Sequence, residues 1–256
     1  MALVKHREII KESDIFFETD VAKTIRAAIL IIKHHRTQLE QYIALHPEFQ
    51  KALIPIRLER NTPEIISVMA KAAEIAGVGP MAAVAGALAD LGVIQMITLG
   101  AKVAIIEDGG EIAGVSNISI NVGIFAGRSP LSGKIGFRFE PEDFPIGLGT
   151  SSGTVGHALS FGEADAATIF TNNAALADAA ATAVANEVKD PDYEKSVQNG
   201  LERAETIEGV RGALIIRGKF AGIVGKLPQL LKIEGKSWKI LNKRYSDTLP
   251  PDFTLL

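Results

Sequence analysis

Apolar residues in the first third of the chain recur at the spacing of amphipathic helices. Between Thr19-Asp20, which can cap a helix, and Pro47, positions such as Ile25, Ile29 and Ile32 follow a helical period. A short helix is predicted from Pro47 to Ala52. Another is predicted to end at Gly77, with Thr62 as its cap, Pro63 as its first residue and Glu64 in an acidic first turn. Residues 1–76 are therefore predicted to be mostly helical.

Beyond Pro80, which can open a further helix through Asp90, the pattern changes to strand-like alternation. Polar helices interrupt this alternation, which lacks the strand-helix-strand cadence of a parallel sheet. The predicted fold class is α+β, with antiparallel sheets and packed helices. At 256 residues, one large domain or two intimately joined lobes both fit. Strands are predicted at residues 102–107, 119–124, 134–139 and 166–170, and a hairpin at 210–224.

Composition excludes several classes of function. With 27 Lys+Arg against 30 Asp+Glu, no overall positive field favours nucleic acid. The chain has no Cys, which excludes disulfides, thiolate metal sites and a Cys nucleophile. Charges from Lys5 to Glu8 stand where a signal peptide would be apolar, so a cytoplasmic location is expected. A homo-oligomer stays open.

Residues 75–101 are long and apolar enough to cross a bilayer, with Asp90 as the one charged residue before Lys102. Much of the stretch is Ala and Gly, and Asp90 near its middle would cost about 2.5–3.5 kcal/mol on insertion scales. We therefore predict a buried helix followed by a buried strand, and no membrane span.

An alanine-rich helix is predicted around the motif A-D-A-A-A-T-A at residues 177–183. It places Asp178 and Thr182 at i and i+4, on one face of the helix. Two oxygen ligands of this kind suit magnesium, which takes its remaining ligands from water and substrate phosphates. A solvent-facing Asp178 with Thr182 bonded to its own helix is the alternative interpretation.

A loop rich in glycine and hydroxyl groups is predicted at residues 147–157. Its glycines free backbone N–H groups to face an anion, and its hydroxyls add donors. The predicted phosphate contacts are Thr150, Ser151, Ser152 and Gly153, with His157 as the candidate acid/base group. The loop lacks the lysine of a Walker motif, and an ordinary surface loop is the alternative.

Two further motifs have structural alternatives. Residues 77–82 match G-x-G-x-x-A, but the segment before them is predicted helical, so a nicotinamide site ranks last. The turn at residues 107–111 brings three carboxylates together, and these would repel one another unless solvated or bound to a cation. A solvated hairpin turn is the favoured interpretation there.

Taken in order, residues 79–90, 108–112, 149–153 and 177–183 resemble the ApbE-like superfamily, and most of all its uncharacterised ApbE-related branch. ApbE proteins are magnesium-dependent transferases that split FAD and attach FMN to Thr or Ser of a target protein. The resemblance implies Asp178 and Thr182 as metal ligands, and a flavin site that includes Gly109, Gly110, Glu111 and the Thr150–Gly153 stretch.

Two family signatures differ in this chain. The Lys-Gly-Tyr stretch appears as Val78-Gly79-Pro80, and the His-x-x-Asp-Pro-x-Thr-Gly signature is absent. We therefore expect a relative with diverged activity that binds FAD, FMN or a similar phosphate-bearing small molecule with magnesium. A protein acceptor for FMN transfer, and a non-catalytic ligand-binding or assembly role, both stay open.

Overall fold

A computed structural model describes residues 3–153, 161–233 and 253–255 of the chain. Short 3-10 helices lie at Pro80–Ala83 and Pro141–Asp143. The helices are α1 (Lys23–Leu45), α2 (Pro47–Lys51), α3 (Glu64–Ala76), α4 (Val84–Thr98), α5 (Ala174–Ala185) and α6 (Tyr193–Glu205). The strands are β1 (Val4–Ile10), β2 (Ser13–Thr19), β3 (Ala104–Asp108), β4 (Glu111–Val115), β5 (Ile120–Gly123), β6 (Ile135–Phe139), β7 (Ile146–Ser151), β8 (Ala166–Thr171), β9 (Gly212–Arg217), β10 (Phe220–Gly225), β11 (Gln229–Ile233) and β12 (Phe253–Leu255).

The strands form two antiparallel sheets. The larger sheet has the order β1-β2-β3-β4-β7-β8-β9-β10, and the smaller has the order β12-β11-β6-β5. Successive residues of a strand face opposite sides of a sheet. In β9, Ala213 and Ile215 pack on the helix-side core, whereas Leu214 and Ile216 pack on the core between the two sheets. The large sheet is therefore the middle of three layers.

The α+β class with antiparallel sheets and packed helices is confirmed. Helices α1, α2 and α3 occupy more than half of residues 1–76, but the hairpin of β1 and β2, which extends the large sheet beside β3, was not predicted. Asp20 does not cap α1: its Oδ1 accepts hydrogen bonds from the N–H groups of Lys102 and Val103, each at 3.0 Å. The outer strand β1 is charged and largely exposed, so helical periodicity downstream dominated the pattern.

One helical stretch, Pro80–Thr98, is long and apolar enough to cross a membrane, and half of its most apolar window is buried inside the structure. It packs against α1, α5 and strands β3 and β4. Core helices pass the same test of length and composition, which agrees with the interpretation as a buried helix.

The G-x-G-x-x-A match has a structural role. Helix α3 precedes it, so the strand that a dinucleotide fingerprint needs is missing. Gly77 ends α3 in a left-handed conformation, with φ of 71°. A methyl group on Gly79 would lie 1.8 Å from the carbonyl oxygen of Ala52, so glycine is needed there for close backbone packing.

Candidate functional site

Helix α5 lies directly on the backbone of β7, because both elements are built from very small residues. A methyl group on Gly149 would lie 2.5 Å from the carbonyl carbon of Ala177, and one on Gly147 would lie 2.0 Å from that of Asn173. Such distances are shorter than any real contact, so only glycine allows the helix to approach this closely. The close approach places Asp178 beside the end of β7.

Asp178 is half-buried and holds the first turn of α4. Its Oδ2 accepts a hydrogen bond from the backbone N–H of Gly86 at 3.0 Å, and the N–H of Ala85 also stabilises the carboxylate. Burial raises the pKa of Asp178 to about 8 against these hydrogen bonds, with further contributions from the negative charges of Asp108 and Asp90. The side chain therefore makes a structural contact, and its ionised form is disfavoured by its surroundings.

The tight turn between β3 and β4 brings two more carboxylates to the same face of the sheet. Gly109 and Gly110 make the turn with φ of 74° and 126°, and Asp108 stands opposite Glu111 in the register. Burial raises the pKa of Glu111 well above its usual value, and the charges of Asp178 and Asp108 raise it further. Three acidic groups from two distant parts of the sequence thus converge.

Asp108 corrects the interpretation of this turn as solvated. It is 4% exposed, and its Oδ2 has no hydrogen-bond partner within the described part of the chain. Burial raises the pKa of Asp108 to about 6, although a hydrogen bond from Ser13 and the charge of Arg36 lower it. A buried carboxylate oxygen without a partner is unusual and favours a bound cation or water.

The donor set suits a hard cation. The side chains of Asp178, Glu111 and Asp108 offer only oxygen ligands, which magnesium prefers, and it commonly takes only one or two carboxylates from protein; the Arg36 guanidinium also acts on Asp108. Among the residues that the structure describes, no group of three or more His, Cys, Asp or Glu is close enough to hold a metal ion by itself. Asp178 and Thr182 are both half-buried and stand four residues apart, on one face of α5, so any cation here would need further oxygen ligands from water or a bound compound.

The predicted hydroxyl-rich loop is partly a strand, because β7 continues through Ser151. Leu148 packs in the core between the sheets, so Thr150, two residues later, faces the same side. Its Oγ1 lies 3.0 Å from Oγ1 of Thr168, a fully buried residue of β8. The Thr150 hydroxyl thus lies on the opposite face of the sheet from Asp178.

The rest of the stretch divides between the two faces. Alternation puts Ser151 on the helix side with Gly149, whereas the Ser152 hydroxyl donates to the carbonyl of Ala164 at 3.2 Å. Gly153 packs against the backbone of Gly162, where a methyl group would lie 1.9 Å from the carbonyl oxygen. His157 lies outside the described residues. Ser151 is therefore the one hydroxyl of Thr150–Ser152 on the same side as Asp178.

The backbone of β7 still meets the acidic turn. A methyl group on Gly110 would lie 3.7 Å from the carbonyl oxygen of Thr150, so the turn and the end of β7 are neighbours. Gly109 is exposed and Gly110 half-buried, and neither has a side chain to block a ligand. The predicted glycines are thus placed at an accessible edge beside Glu111.

Sequence reasoning missed three residues of this region. Gly86 donates to Asp178, Asp108 completes the acidic group, and Asp90 accepts hydrogen bonds from the start of α5. Asp90 had a detectable signal, since a lone acidic residue in an apolar helix needs a partner when it is buried. Gly86 had none, because its contact with Asp178 crosses 92 positions of sequence. Asp108 was noted only as part of the acidic turn at residues 107–111, and its burial was not predicted.

A match to a family model identifies the family of this chain. A family model described as "AbpE bacteria" matches residues 5–215. The chain belongs to this family. The match includes both arms of the acidic turn, strand β7 and helix α5. The resemblance to the ApbE-like superfamily and its ApbE-related branch is confirmed.

Individual relatives cover nearly the whole chain. A UPF0280 protein of Methanosarcina acetivorans is 42% identical over 233 residues, covering 91% of each chain. A UPF0280 protein of Methanocaldococcus jannaschii is 42% identical over 232 residues, covering 90% of this chain and 94% of its own.

Solved structures of ApbE proteins have the same fold. The flavin transferase ApbE from Vibrio cholerae matches with a TM-score of 0.51 at 12% identity, over 89% of this chain and 97% of its own. The ApbE protein from Thermotoga maritima matches with a TM-score of 0.51 at 13% identity, over 84% and 94%. At these identities the likeness shows the fold, which is ApbE-like.

Proposed function

We propose that this protein binds a flavin nucleotide, or a related phosphate-bearing compound, together with magnesium beside Asp178. The observation that carries the proposal is the convergence of Asp178, Glu111 and Asp108: the charges of Asp178 and Asp108 raise the pKa of buried Glu111, and the charge of Asp108 raises the pKa of Asp178. A divalent cation would offset this repulsion. Membership of a family whose solved relatives include flavin transferases supports a flavin as the ligand.

Each residue has a stated part in this proposal. Asp178 and Thr182 hold the metal, and the metal, when bound, neutralises phosphate charge. Gly109 and Gly110 leave room for phosphate at the turn, and Ser151 donates a hydroxyl from the helix side of β7. Glu111 lies at the edge of this space.

Three of the predicted phosphate contacts, Thr150, Ser152 and Gly153, contribute less than Ser151 in this proposal. The hydroxyls of Thr150 and Ser152 already have protein partners, so their stretch would contribute backbone groups, as would Gly153. His157 stays the proposed acid/base group.

The enzymatic form of the proposal is a diverged FMN transferase. In that reaction the bond between the two phosphates of FAD breaks, and a Thr or Ser oxygen of an acceptor protein bonds to the FMN phosphorus. The hydroxyl proton passes to a base, and AMP leaves with the electron pair of the broken bond. Incubation with FAD, magnesium and a Ser/Thr peptide should then release AMP and label the peptide, and Asp178→Asn should do neither.

A non-catalytic ligand-binding or assembly protein of the same fold is the second candidate. The hydrogen bond from Gly86 to Asp178 favours it, because a helix-holding carboxylate would be retained without any turnover. This candidate predicts magnesium-dependent binding of FAD without AMP release. Absence of both binding and release would overturn both candidates.

A further inference from the structure

Helices α4 and α5 touch backbone to backbone near their first turns. A methyl group on Gly86 would lie 2.1 Å from the carbonyl oxygen of Ala174. Gly86 pairs with Asp178, whereas Asp90, one turn further along α4, pairs with Ala174. The two helices therefore run in opposite directions through this contact, and each brings a carboxylate to the start of the other.

Asp90 uses both carboxylate oxygens on α5. Oδ1 accepts from the N–H of Ala174 at 2.8 Å, and Oδ2 accepts from the N–H of Ala175 at 2.9 Å. The Asn173 side chain accepts from the N–H of Leu176 at 2.9 Å. The first N–H groups of a helix have no partner within the helix, so these three bonds fix the first turn of α5.

Asp90 is held mainly by this helix end. It lines a cavity of about 440 Å³ between α3, α4 and the start of α5, with apolar neighbours such as Val68 and Ile94. Burial raises its pKa to about 6, and the Ala174 and Ala175 N–H groups are the interactions that lower it. No ion pair with Asp90 is present in the described ranges of the chain. Movement of Asp90 would therefore release the start of α5.

Asp178 lies one turn after the residues that Asp90 holds. Its position along and around the helix depends on where the first turn of α5 is fixed. We propose that Asp90 is a positioning residue for the cation site, acting through α5 on Asp178. This inference rests on the proposed function, since it assigns Asp90 a part in magnesium binding.

The test is a magnesium titration of the full chain, followed by calorimetry, for the wild type and Asp90→Asn. Asparagine replaces one of the two acceptor oxygens that Asp90 uses by an NH2 donor, so the magnesium affinity of Asp90→Asn should fall roughly tenfold, as for residues that orient metal ligands. The matched control is Asp192→Ala, which removes the carboxylate that caps α6 through the N–H groups of Glu194 and Lys195. This control should keep the wild-type magnesium affinity.

A double variant shows whether Asp90 acts through Asp178. With Asp178→Asn in place, adding Asp90→Asn should leave the residual magnesium affinity unchanged. A tenfold further loss would contradict action through Asp178, and wild-type affinity in Asp90→Asn alone would overturn the inference. If wild-type protein binds no magnesium, the proposed function fails instead.

Folding failure is covered by a second variant. Asp90→Glu keeps the charge but moves the carboxylate by one methylene, so its affinity should fall between those of the wild type and Asp90→Asn. If Asp90→Asn does not fold, wild-type affinity in Asp90→Glu overturns the inference. Amide hydrogen exchange at residues 174–176 should speed up in both variants.

Discussion

The two ends of the α4–α5 contact are built alike but differ in what surrounds the carboxylate. Asp90 is bonded by two N–H groups and lies at an apolar cavity, whereas Asp178 lies beside Glu111 and Asp108. The first carboxylate is balanced by the helix it holds. The second is surrounded by like charges, which a helix end worth about half a positive charge does not neutralise. The proposed cation site at Asp178 rests on this difference.

Separating the two helices should damage both ends together. Gly86→Ala places a methyl group against the Ala174 carbonyl, so the backbones must move apart. We expect a loss of about 3 kcal/mol in the free energy of unfolding, more than the ~1 kcal/mol that alanine gains over glycine in a helix. Urea denaturation measures it.

Thr98→Ala, at the exposed end of α4, is the control and should change stability by no more than about 0.5 kcal/mol. Equal stability of Gly86→Ala and wild type would contradict the close contact.

The pH dependence of the free energy of unfolding should show the effect of the carboxyl groups whose pKa values are raised. Asp90 and Asp108 have folded pKa values of about 6, above the unfolded value of about 3.9, so the native state binds more protons than the unfolded state. Stability is then highest at low pH for these groups and is lost as pH rises through the folded pKa. Without metal, we expect these two groups alone to contribute a loss of about 3 kcal/mol between about pH 5 and about pH 8.

Other groups change this slope in known directions. Asp178, with a pKa of about 8, extends the loss upward in pH, whereas His35, whose pKa burial lowers, adds a smaller gain. Magnesium should reduce the loss, because it offsets the charge at Asp178. Denaturation curves at several pH values, with chelator or magnesium, measure both effects. A free energy of unfolding that rises steadily across this range in chelator would contradict the account.

The two faces of β7 should respond differently to loss of a hydroxyl. Thr150→Val leaves the buried Thr168 hydroxyl without its partner, which should cost about 1–3 kcal/mol of stability. The double variant with Thr168→Val should recover much of this loss, and neither should change the affinity for FAD and magnesium. A tenfold loss of affinity in Thr150→Val would contradict the placement of the Thr150 hydroxyl on the opposite face of the sheet from Asp178.

Ser151→Ala should have the smallest effect, on binding alone. Its hydroxyl faces the helix side, so its loss should weaken FAD binding by a few-fold, about 1 kcal/mol, with stability unchanged. Fluorescence titration with FAD measures the affinity. An unchanged affinity would remove Ser151 from the site.

The alanine-rich helix and the Asp-Thr pair on it could be predicted because helical spacing is a local property. Strand β7 was harder, since glycines and hydroxyls at residues 147–152 are typical of loops and become a strand only where α5 covers them. Asp108 illustrates the same limit. Its turn was evident from Gly109-Gly110, but its burial depends on Ser13 and Arg36, which reach it through tertiary packing.

The most direct test of the cation site is a calorimetric titration of magnesium into wild type and Asp178→Asn, with and without FAD, at about pH 8. The asparagine side chain can still accept from the N–H of Gly86, so the fold should be retained while the negative charge is lost. We predict saturable binding in the wild type and an affinity at least about 100-fold weaker in Asp178→Asn. Equal heats in the two proteins would contradict a magnesium site at Asp178.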